Sequence, residues 1–180
     1  MAFLTPEEQL NEIHVEQGAT VADFGAGTGA YTFVAAKDVG IHGKVYAIDI
    51  NRDLLEKVKS EGLKVGLENI DVIWGDIERE GSTKLRGGTV DLVIIANILF
   101  QVEDKDGMIK EMLRVLKPFG KVFVADWSDS FGGVGPHPEQ VFPEAKAREL
   151  FTKHHFTIEK PVAAGDYHYA FLAMRTQATE

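Results

Sequence analysis

The feature that most constrains the fold is an alternation of short apolar runs with amphipathic helical segments along almost the whole chain. Short runs rich in Val and Ile are typical of strands that are buried on both faces. Because strands that alternate with helices connect as right-handed parallel crossovers, the pattern predicts an α/β fold with a doubly wound, mostly parallel sheet. The length of 180 residues suits one domain and is too short for two.

Seven strands and five longer helices are predicted. The strands are expected at about 19–24, 44–49, 70–74, 89–96, 121–126, 155–160 and 167–176. The helices are expected at about 5–18, 29–38, 51–64, 105–116 and 143–153, with one short helix between 77 and 88. The last two strands are close enough in sequence to pair as an antiparallel hairpin, which gives a three-layer α/β/α domain with one reversed strand at or near the sheet edge.

Ligands of a doubly wound sheet bind beyond the carboxyl ends of its strands. The chemistry is therefore expected just after Asp23, Asp49, Trp74, Ala96 and Asp126. Trp74 itself is expected to pack in the core. A Gly- and Pro-rich loop at 127–143 follows the fifth strand, and loops of that length are often functional.

The turn after the first predicted strand is rich in glycine and reads Asp23-Phe-Gly25-Ala-Gly27-Thr-Gly29-Ala-Tyr31. Glycine lets the backbone approach a ligand where a Cβ would clash. The N-terminus of the following helix has free N–H groups and a partial positive charge, which suit a carboxylate or a phosphate. This turn is the first candidate binding site.

Two ligands fit this turn, and a third interpretation needs none. The spacing Gly25-x-Gly27-x-x-Ala30, with Asp49 about 20 residues further on, satisfies the fingerprint of a dinucleotide site. Asp23 directly before the turn fits a pyrophosphate badly but suits a ligand with an ammonium group, and Gly29 departs from the dinucleotide spacing. A methionine-type ligand is favoured, and a tight structural turn without a ligand is the remaining alternative.

Composition disfavours several classes of protein. The formal net charge is −9, and the basic residues lie among acidic ones. Nucleic-acid partners usually require a basic stripe, so this composition disfavours them. The chain has no cysteine, which excludes disulfides, zinc–cysteine sites and thiol nucleophiles. His154 and His155 are expected to end a helix, where imidazole suits the dipole, and no metal site is predicted.

The sequence also gives an expectation about location. No apolar run approaches the roughly 20 residues that cross a bilayer. The N-terminus turns acidic at once and lacks the basic region of a secretory signal. A soluble, cytoplasmic protein is expected.

Five stretches in order resemble the class I (Rossmann-like) S-adenosylmethionine-dependent methyltransferases. They are Asp23-x-Gly25-x-Gly27-x-Gly29, Asp49 at the end of the second strand, Gly75-Asp76-Ile77 after the third, Asp91 to Val102 around the fourth, and Glu111-Met-Leu-Arg-Val-Leu-Lys-Pro-Phe-Gly120 before the fifth. The last of these is similar to the Leu-Arg-Val-Leu-Lys-Pro-Gly-Gly stretch common in that family. A dinucleotide site would account only for the first two.

The resemblance implies a role for each candidate cofactor-binding residue. The backbone around Gly25, Ala26, Gly27 and Gly29 would hold the amino-acid part of S-adenosylmethionine, with Asp23 near its ammonium group. The carboxylate of Asp49 would accept both ribose hydroxyls. At the adenine, Asp76 would accept from the amino group, the Ile77 N–H would donate to a ring nitrogen, and Ile50 would pack on the ring face. Asn97 would face the methionine end.

The same resemblance divides the single domain 1–180 into an N-terminal helix (1–17), a cofactor-binding half (18–126) and an acceptor-side half (127–180). Trp127, His137, Tyr167 and His168 are candidates to touch the acceptor, and Phe3 and Leu4 could cover the site if the N-terminal segment folds back. A general base is optional, with His137, His168 or Asp126 as candidates.

Ala96-Asn97-Ile98-Leu99 lacks the Asn/Asp-Pro-Pro-Tyr motif of enzymes that methylate nucleic-acid bases or glutamine amides. The resemblance is therefore to the branch that acts on small molecules, by in-line displacement. Three alternatives stay open: a methyltransferase of protein or RNA, an NAD(P)-binding Rossmann protein, and a catalytically silent S-adenosylmethionine binder. The acceptor pocket must come from the 127–143 loop, the N-terminal helix or a second subunit of a homo-oligomer.

Overall fold

A computed structural model describes residues 3–176, which form seven strands and five helices. The strands are β1 (Thr20–Phe24), β2 (Lys44–Asp49), β3 (Ile70–Trp74), β4 (Val90–Ala96), β5 (Leu116–Trp127), β6 (Phe156–Val162) and β7 (His168–Arg175). The helices are α1 (Pro6–Ile13), α2 (Ala30–Val39), α3 (Arg52–Lys64), α4 (Lys105–Val115) and α5 (Glu144–Lys153).

All seven strands belong to one sheet with the order β3-β2-β1-β4-β5-β7-β6. The strands from β1 to β5 pair in parallel, and β7 lies antiparallel between β5 and β6. The predicted doubly wound sheet with a C-terminal antiparallel hairpin is confirmed. The chain changes direction across the sheet between β1 and β4, which opens a crevice at their carboxyl ends.

Two apolar cores cover the two faces of the sheet. Helices α1, α2 and α3 supply one core, represented by Leu10, Val39 and Leu55, and helices α4 and α5 supply the other, represented by Met112 and Phe151. The central strands therefore meet apolar side chains on both sides, which explains why their sequences are almost continuous in Val and Ile.

The N-terminal helix is shorter than predicted. Thr5 caps it with a capping box that includes Glu8, as expected from the sequence. The helix ends at Ile13 because His14 adopts a left-handed conformation with φ 55°. The expected extension toward Gly18 is wrong, and the residues after His14 lead directly into β1.

The segment between β3 and β4 contains turns and no helix, so the short helix predicted there is absent. A buried polar network orders this segment instead. The Glu111 carboxylate of α4 accepts from the Gly81 N–H at 2.7 Å, from the backbone and hydroxyl of Thr83, and from Arg114 at 2.7 Å.

Strand β5 begins earlier than predicted. Val90 pairs with Leu116 and Leu92 pairs with Lys121, so a step of two residues in β4 faces a step of five residues in β5. The three extra residues of β5 form a bulge. Phe119 lies in this bulge with φ 61° and a side chain that is 56% exposed. The predicted strand start at 121 is therefore wrong, because residues 117–120 form an irregular part of β5.

Trp74 is not a core residue, contrary to the prediction, since its side chain is 51% exposed at the end of edge strand β3. The Arg52 guanidinium lies 3.8 Å from the ring centroid, and the indole N–H donates to the Ile50 carbonyl at 3.0 Å. Trp74 thus supports the loop after β2.

Within residues 3–176, none of the helices combines the length and the apolar character that a bilayer crossing requires.

Candidate functional site

The predicted site residues meet in one cleft at the carboxyl ends of β1 to β4. Its volume is about 570 Å³, within the range of small-molecule sites. Nine of the ten candidates line it: Asp23, Gly25, Ala26, Gly27, Asp49, Ile50, Asp76, Ile77 and Asn97. The structure therefore brings nine of the ten predicted site residues together in one cleft.

The turn after β1 forms the floor of the cleft. The backbone N–H groups of Gly25 and Ala26 both donate to the Ile48 carbonyl of β2, at 2.8 and 3.0 Å. Gly27 has φ 53°, and a Cβ placed there would meet no atom nearer than 3.9 Å. The space above Gly27 is open, so a ligand can approach its backbone directly.

Gly29, the tenth candidate, does not line the cleft. It is the N-cap of α2 with φ 83°, and a Cβ there would lie 2.9 Å from Val58 and 3.1 Å from Phe33. Its glycine is explained by close packing of α2 against α3. The sequence motif alone could not separate this packing role from a ligand role.

Asp49 joins two loops of the cleft through its carboxylate. Oδ2 accepts from the Gly27 N–H at 2.9 Å, and Oδ1 accepts from the Asn51 N–H at 2.8 Å. A carboxylate offers about four lone-pair positions, so each oxygen keeps one for a further donor. The side chain is only partly buried and is therefore open to a ligand.

Asp23 is 3% exposed and faces the cleft from beneath the turn. The Thr32 hydroxyl donates to its Oδ2 at 2.6 Å. No Lys, Arg or His side chain forms an ion pair with Asp23 among the residues that the structure describes. Burial raises the pKa of Asp23 to about 6, and the neighbouring Asp49 charge adds to the rise. This buried carboxyl group lacks the cation that would stabilise its charge.

The Gly75-Asp76-Ile77 turn forms the far wall. The Asp76 N–H donates to the Ser82 hydroxyl at 2.7 Å, and the Asp76 carboxylate accepts from the Glu78 N–H at 3.0 Å and pairs with Arg79. Asp76 therefore caps its own turn. Within the described part of the chain, the backbone N–H of Ile77 has no hydrogen-bond partner, which leaves it available to a ligand.

An apolar surface lies between the two polar ends. Ile50 is 70% exposed although it is a large apolar residue, and it lies on the cleft beside Leu54, Ile77 and Val102. An exposed isoleucine on the cleft is a suitable face for a flat heterocycle. Leu54, in the first turn of α3, also lines the cleft and was not predicted.

Asn97 follows β4 in a left-handed conformation with φ 55°, which asparagine tolerates better than most residues. Its N–H donates to the Ala125 carbonyl at 2.8 Å, and its side chain is exposed on the cleft wall. The cleft also includes Thr28, Tyr31 and Gln101, which the sequence analysis missed. Thr28 lies within the glycine turn and Tyr31 directly after it, so their positions in the sequence could have identified both.

The three candidate bases occupy different places. Asp126 is fully buried and accepts three backbone N–H groups, from Ile98, Leu99 and Trp127. Burial raises the pKa of Asp126 to about 6, whereas these hydrogen bonds lower it. Its carboxylate ties the loop after β4 to the end of β5 and does not line the cleft.

His137 is exposed in the long loop, and His168 is half-buried in a group of aromatic rings beside the cleft. That group contains Trp127 and Tyr167, the other acceptor candidates, together with Phe3. The N-terminal segment does fold back, but Phe3 bridges Gly165 of the β6–β7 turn and does not line the cleft.

The cleft fits a nucleoside that carries an amino-acid group. A buried carboxyl without a cation suits an ammonium group, an accessible carboxylate suits paired hydroxyls, and an apolar face next to a free backbone N–H suits a purine. A dinucleotide fits less well because Asp23 lies under the turn that would hold its pyrophosphate. The three parts lie in the order of such a nucleoside, from β4 and β1 across β2 to β3.

Comparison with known proteins places these features in a family. Residues 15–171 match the family described as "Methyltransferase domain". The ubiquinone/menaquinone biosynthesis C-methyltransferase UbiE of Hahella chejuensis is 36% identical over 120 residues, covering 66% of this chain and 47% of that protein. UbiE of Escherichia coli K12 is 33% identical over 115 residues, covering 63% and 45%.

The solved structures include a SAM-dependent methyltransferase from Aquifex aeolicus, which is 30% identical with a TM-score of 0.85. The match covers 94% of this chain and 88% of that one. The chain spans about half the length of the curated relatives. Since the family match extends over most of the domain, from before β1 into β7, the chain belongs to the class I S-adenosylmethionine-dependent methyltransferase family.

Proposed function

We propose that this protein transfers a methyl group from S-adenosylmethionine to a small-molecule acceptor. The observation that carries the proposal is the cleft itself, in which Asp23, Asp49 and Asp76 lie at the carboxyl ends of three neighbouring parallel strands around the Gly25–Gly27 turn. Membership of the methyltransferase family and the likeness to a SAM-dependent enzyme of nearly equal length support the same function.

At one end of the cleft, Asp23 would bind the ammonium group of S-adenosylmethionine. The backbone of Gly25 to Gly27 would lie close to the rest of its amino-acid group. The open space above Gly27 supports this role, because a side chain there would project into the cleft. Burial makes Asp23 harder to ionise than an exposed aspartate, and a cationic group bound beside it would stabilise its charged form.

In the middle of the cleft, Asp49 would accept the two ribose hydroxyls with the lone pairs that Gly27 and Asn51 leave unused. At the far end, the Ile77 N–H and the Asp76 carboxylate would bind the adenine edge, and Ile50 would contact its face. Trp74 supports the Ile50 position through the indole hydrogen bond to the Ile50 carbonyl.

The bound cofactor supplies a sulfonium methyl group that a nucleophile can displace in line, so the difficult chemistry belongs to the cofactor. The contribution of the chain is to orient and to exclude water, which accounts for most of the acceleration available to such a transfer. Asn97 and Gln101 stand at the edge of the cleft toward β5 and would limit how the acceptor approaches.

A small-molecule acceptor agrees with the charge distribution and with the named relatives. Several lysines form ion pairs with acids of neighbouring strands, such as Lys44 with Asp71 and Lys117 with Asp91, so these charges are balanced rather than arranged as a basic stripe for a phosphate backbone. The relatives are named for C-methylation in ubiquinone and menaquinone biosynthesis, so a quinol-type ring is the first acceptor class to test.

Thermal unfolding with S-adenosylhomocysteine and with NADH tests the cofactor. A ligand at 100 times its Kd stabilises by roughly 2.7 kcal/mol, which corresponds to about 5–10 °C for a domain of this size. We expect this shift with S-adenosylhomocysteine only. A shift with NADH alone would contradict the proposal, and a labelled-methyl assay against quinols, proteins and RNA then separates the acceptor classes.

A further inference from the structure

Five aromatic side chains meet where β5 ends and β7 begins. Trp127 and His168 have ring centroids 4.3 Å apart, and Phe3 stacks on Tyr167 at 4.5 Å with an interplanar angle of 16°. Phe131 meets Tyr167 edge-on at 4.6 Å. We call Trp127, Tyr167 and His168 the aromatic platform, and Phe3 and Phe131 its covers.

The aromatic platform stands next to the cleft. Trp127 pairs with His168 in the ladder between β5 and β7, and β5 is the direct neighbour of β4, whose end forms the cleft wall. Neighbouring strands lie about 4.8 Å apart, so the platform begins within one or two strand spacings of Asn97. The Asp126 carboxylate also ties the Trp127 backbone to that of Ile98 on the wall.

The platform is joined to the main sheet, whereas each cover is attached through an isolated bridge, Phe3 to Gly165 and Phe131 to Val134. Trp127 and His168 are residues of the sheet, and the Ser128 N–H donates to the Tyr167 carbonyl at 2.9 Å. Phe3 precedes the first helix and is 54% exposed. Phe131 adjoins Gly132 and Gly133, where an added Cβ would meet nothing within 4 Å, so this part of the loop has little packing.

The stacked pair of Phe3 and Tyr167 shows which ligand geometry the platform accepts. A nearly parallel ring at this distance is the arrangement in which aromatic rings attract each other. The acids nearest in sequence are Asp126, Asp129 and Asp166, and the chain has no lysine or arginine between Lys121 and Lys146. These surroundings disfavour an anionic ligand. Burial lowers the pKa of His168, which keeps its imidazole neutral.

We propose that the aromatic platform holds the methyl acceptor, and that the acceptor is an uncharged planar ring of the phenol or hydroquinone class that replaces Phe3 on Tyr167. This inference rests on the proposed function, because it gives the acceptor a position beside the cofactor cleft. Phe3 then acts as a stand-in for the acceptor ring and leaves when the acceptor binds.

The test follows the indole N–H resonances of Trp74 and Trp127 by NMR in the whole protein saturated with S-adenosylhomocysteine. Trp74→Phe assigns the two resonances. We expect 2-naphthol to shift the Trp127 resonance and leave that of Trp74 in place, and its saturated analogue decahydro-2-naphthol to shift neither. A shift at Trp74 alone, or equal shifts with both compounds, would overturn the inference.

Two variants and one control sharpen the result. Tyr167→Leu removes the stacking surface and should weaken 2-naphthol binding about fivefold. Phe3→Ala removes the competing ring and should tighten binding about threefold. Phe119→Leu deletes an exposed aromatic ring at the opposite end of the sheet and should change nothing. If Tyr167→Leu and Phe119→Leu bind alike, the platform is not the site.

The proposed function fails separately from this inference. If S-adenosylhomocysteine stabilises the protein but 2-naphthol does not reach Trp127, the position of the acceptor is wrong and the cofactor assignment stands. If S-adenosylhomocysteine itself does not bind, the proposed function is wrong whatever 2-naphthol does. Thermal shifts with S-adenosylhomocysteine on Tyr167→Leu and Phe3→Ala verify that each variant keeps its fold.

Discussion

The backbone N–H of Gly27 donates to Oδ2 of Asp49 across 2.9 Å, and this bond links the turn after β1 to the end of β2. The other oxygen of Asp49 accepts from Asn51, so one side chain fixes both loops that border the middle of the cleft. These two bonds hold the Asp49 carboxylate in place before a ligand binds. Its remaining lone pairs are therefore already positioned to accept hydrogen bonds.

Alanine substitutions should separate the two kinds of glycine in the motif. Gly27→Ala has space for its Cβ but keeps a left-handed φ, so we expect it to lower stability by about 1–2 kcal/mol. Its methyl group projects into the cleft and should weaken S-adenosylhomocysteine binding about tenfold or more. Urea denaturation and calorimetry measure both effects.

Gly29→Ala is the matched control. Its Cβ would lie 2.9 Å from Val58, so the variant should lose about 2 kcal/mol or more through overpacking. The affinity of its folded molecules should stay within about threefold of the native protein, because the added Cβ faces Val58 and Phe33 and Gly29 does not line the cleft. The opposite pattern, with Gly29→Ala losing affinity and Gly27→Ala keeping it, would refute the packing role of Gly29.

The raised pKa of Asp23 predicts a pH-dependent affinity. Burial raises the pKa to about 6, so much of this carboxyl group is protonated at pH 5 in the free protein. An ammonium group binds to the ionised form of Asp23, so at pH 5 the carboxyl group must first lose its proton, which weakens binding. S-adenosylhomocysteine should bind about tenfold more tightly at pH 7.5 than at pH 5. Affinity that is flat across this range would contradict the assigned role.

Asp23→Asn should weaken the binding of S-adenosylhomocysteine but stabilise the ligand-free protein. Because the pKa of Asp23 in the folded state lies above its ordinary value of 3.8, the folded state binds more protons than the unfolded state, and the free protein loses stability as pH rises from about 4 to 6. The neutral variant avoids this loss and should be about 1–3 kcal/mol more stable at pH 7.5 without ligand. It should also bind S-adenosylhomocysteine weakly and without pH dependence. Urea midpoints at pH 5 and 7.5 give the comparison.

Glu111 is expected to be essential for stability. Its side chain is fully buried, and it balances Arg114 while accepting from Gly81 and Thr83. Glu111→Gln removes the carboxylate that pairs with Arg114 inside the protein and should cost about 3 kcal/mol. The control is Glu144→Gln, which breaks a surface pair with Arg148 and should cost less than about 1 kcal/mol. Equal losses in urea denaturation would show that the network does not order this segment.

Phe119 is predicted to reduce stability. The family stretch has glycine at this position, whereas this chain holds an exposed phenylalanine with φ 61°. Phe119→Gly removes the left-handed strain and should raise stability by about 0.5–1 kcal/mol. Phe119→Ala loses the ring but keeps the strain, so it should not be stabilised. A lower urea midpoint for the glycine variant would show that the ring contributes more than the strain costs.

Much of the fold was predictable because local patterns and tertiary packing agree. Strands β2 and β3 and helix α3 have the predicted bounds, since apolar periodicity and the Asn51 cap are local signals. The bulge in β5 could not be predicted, because it depends on how Leu116 and Lys121 pair with β4. The exposure of Trp74 also depends on its position at a sheet edge, which sequence periodicity does not encode.

The candidate site was predictable where strand ends carry a distinctive side chain, as at Asp23 and Asp49. It was less predictable where a residue reaches the cleft from a neighbouring element, as Leu54 and Gln101 do. The position of Phe3 depends on a bridge to Gly165, far away in sequence, and no local signal specifies such a contact.

The affinity of Asp49→Asn for S-adenosylhomocysteine tests the central claim most directly, with Asp53→Asn on the exposed first turn of α3 as the control. Calorimetry should show binding about 30-fold weaker or more for Asp49→Asn, since two charge-assisted hydrogen bonds are lost. Asp53→Asn should bind like the native protein. Native affinity in a folded Asp49→Asn protein would contradict the account.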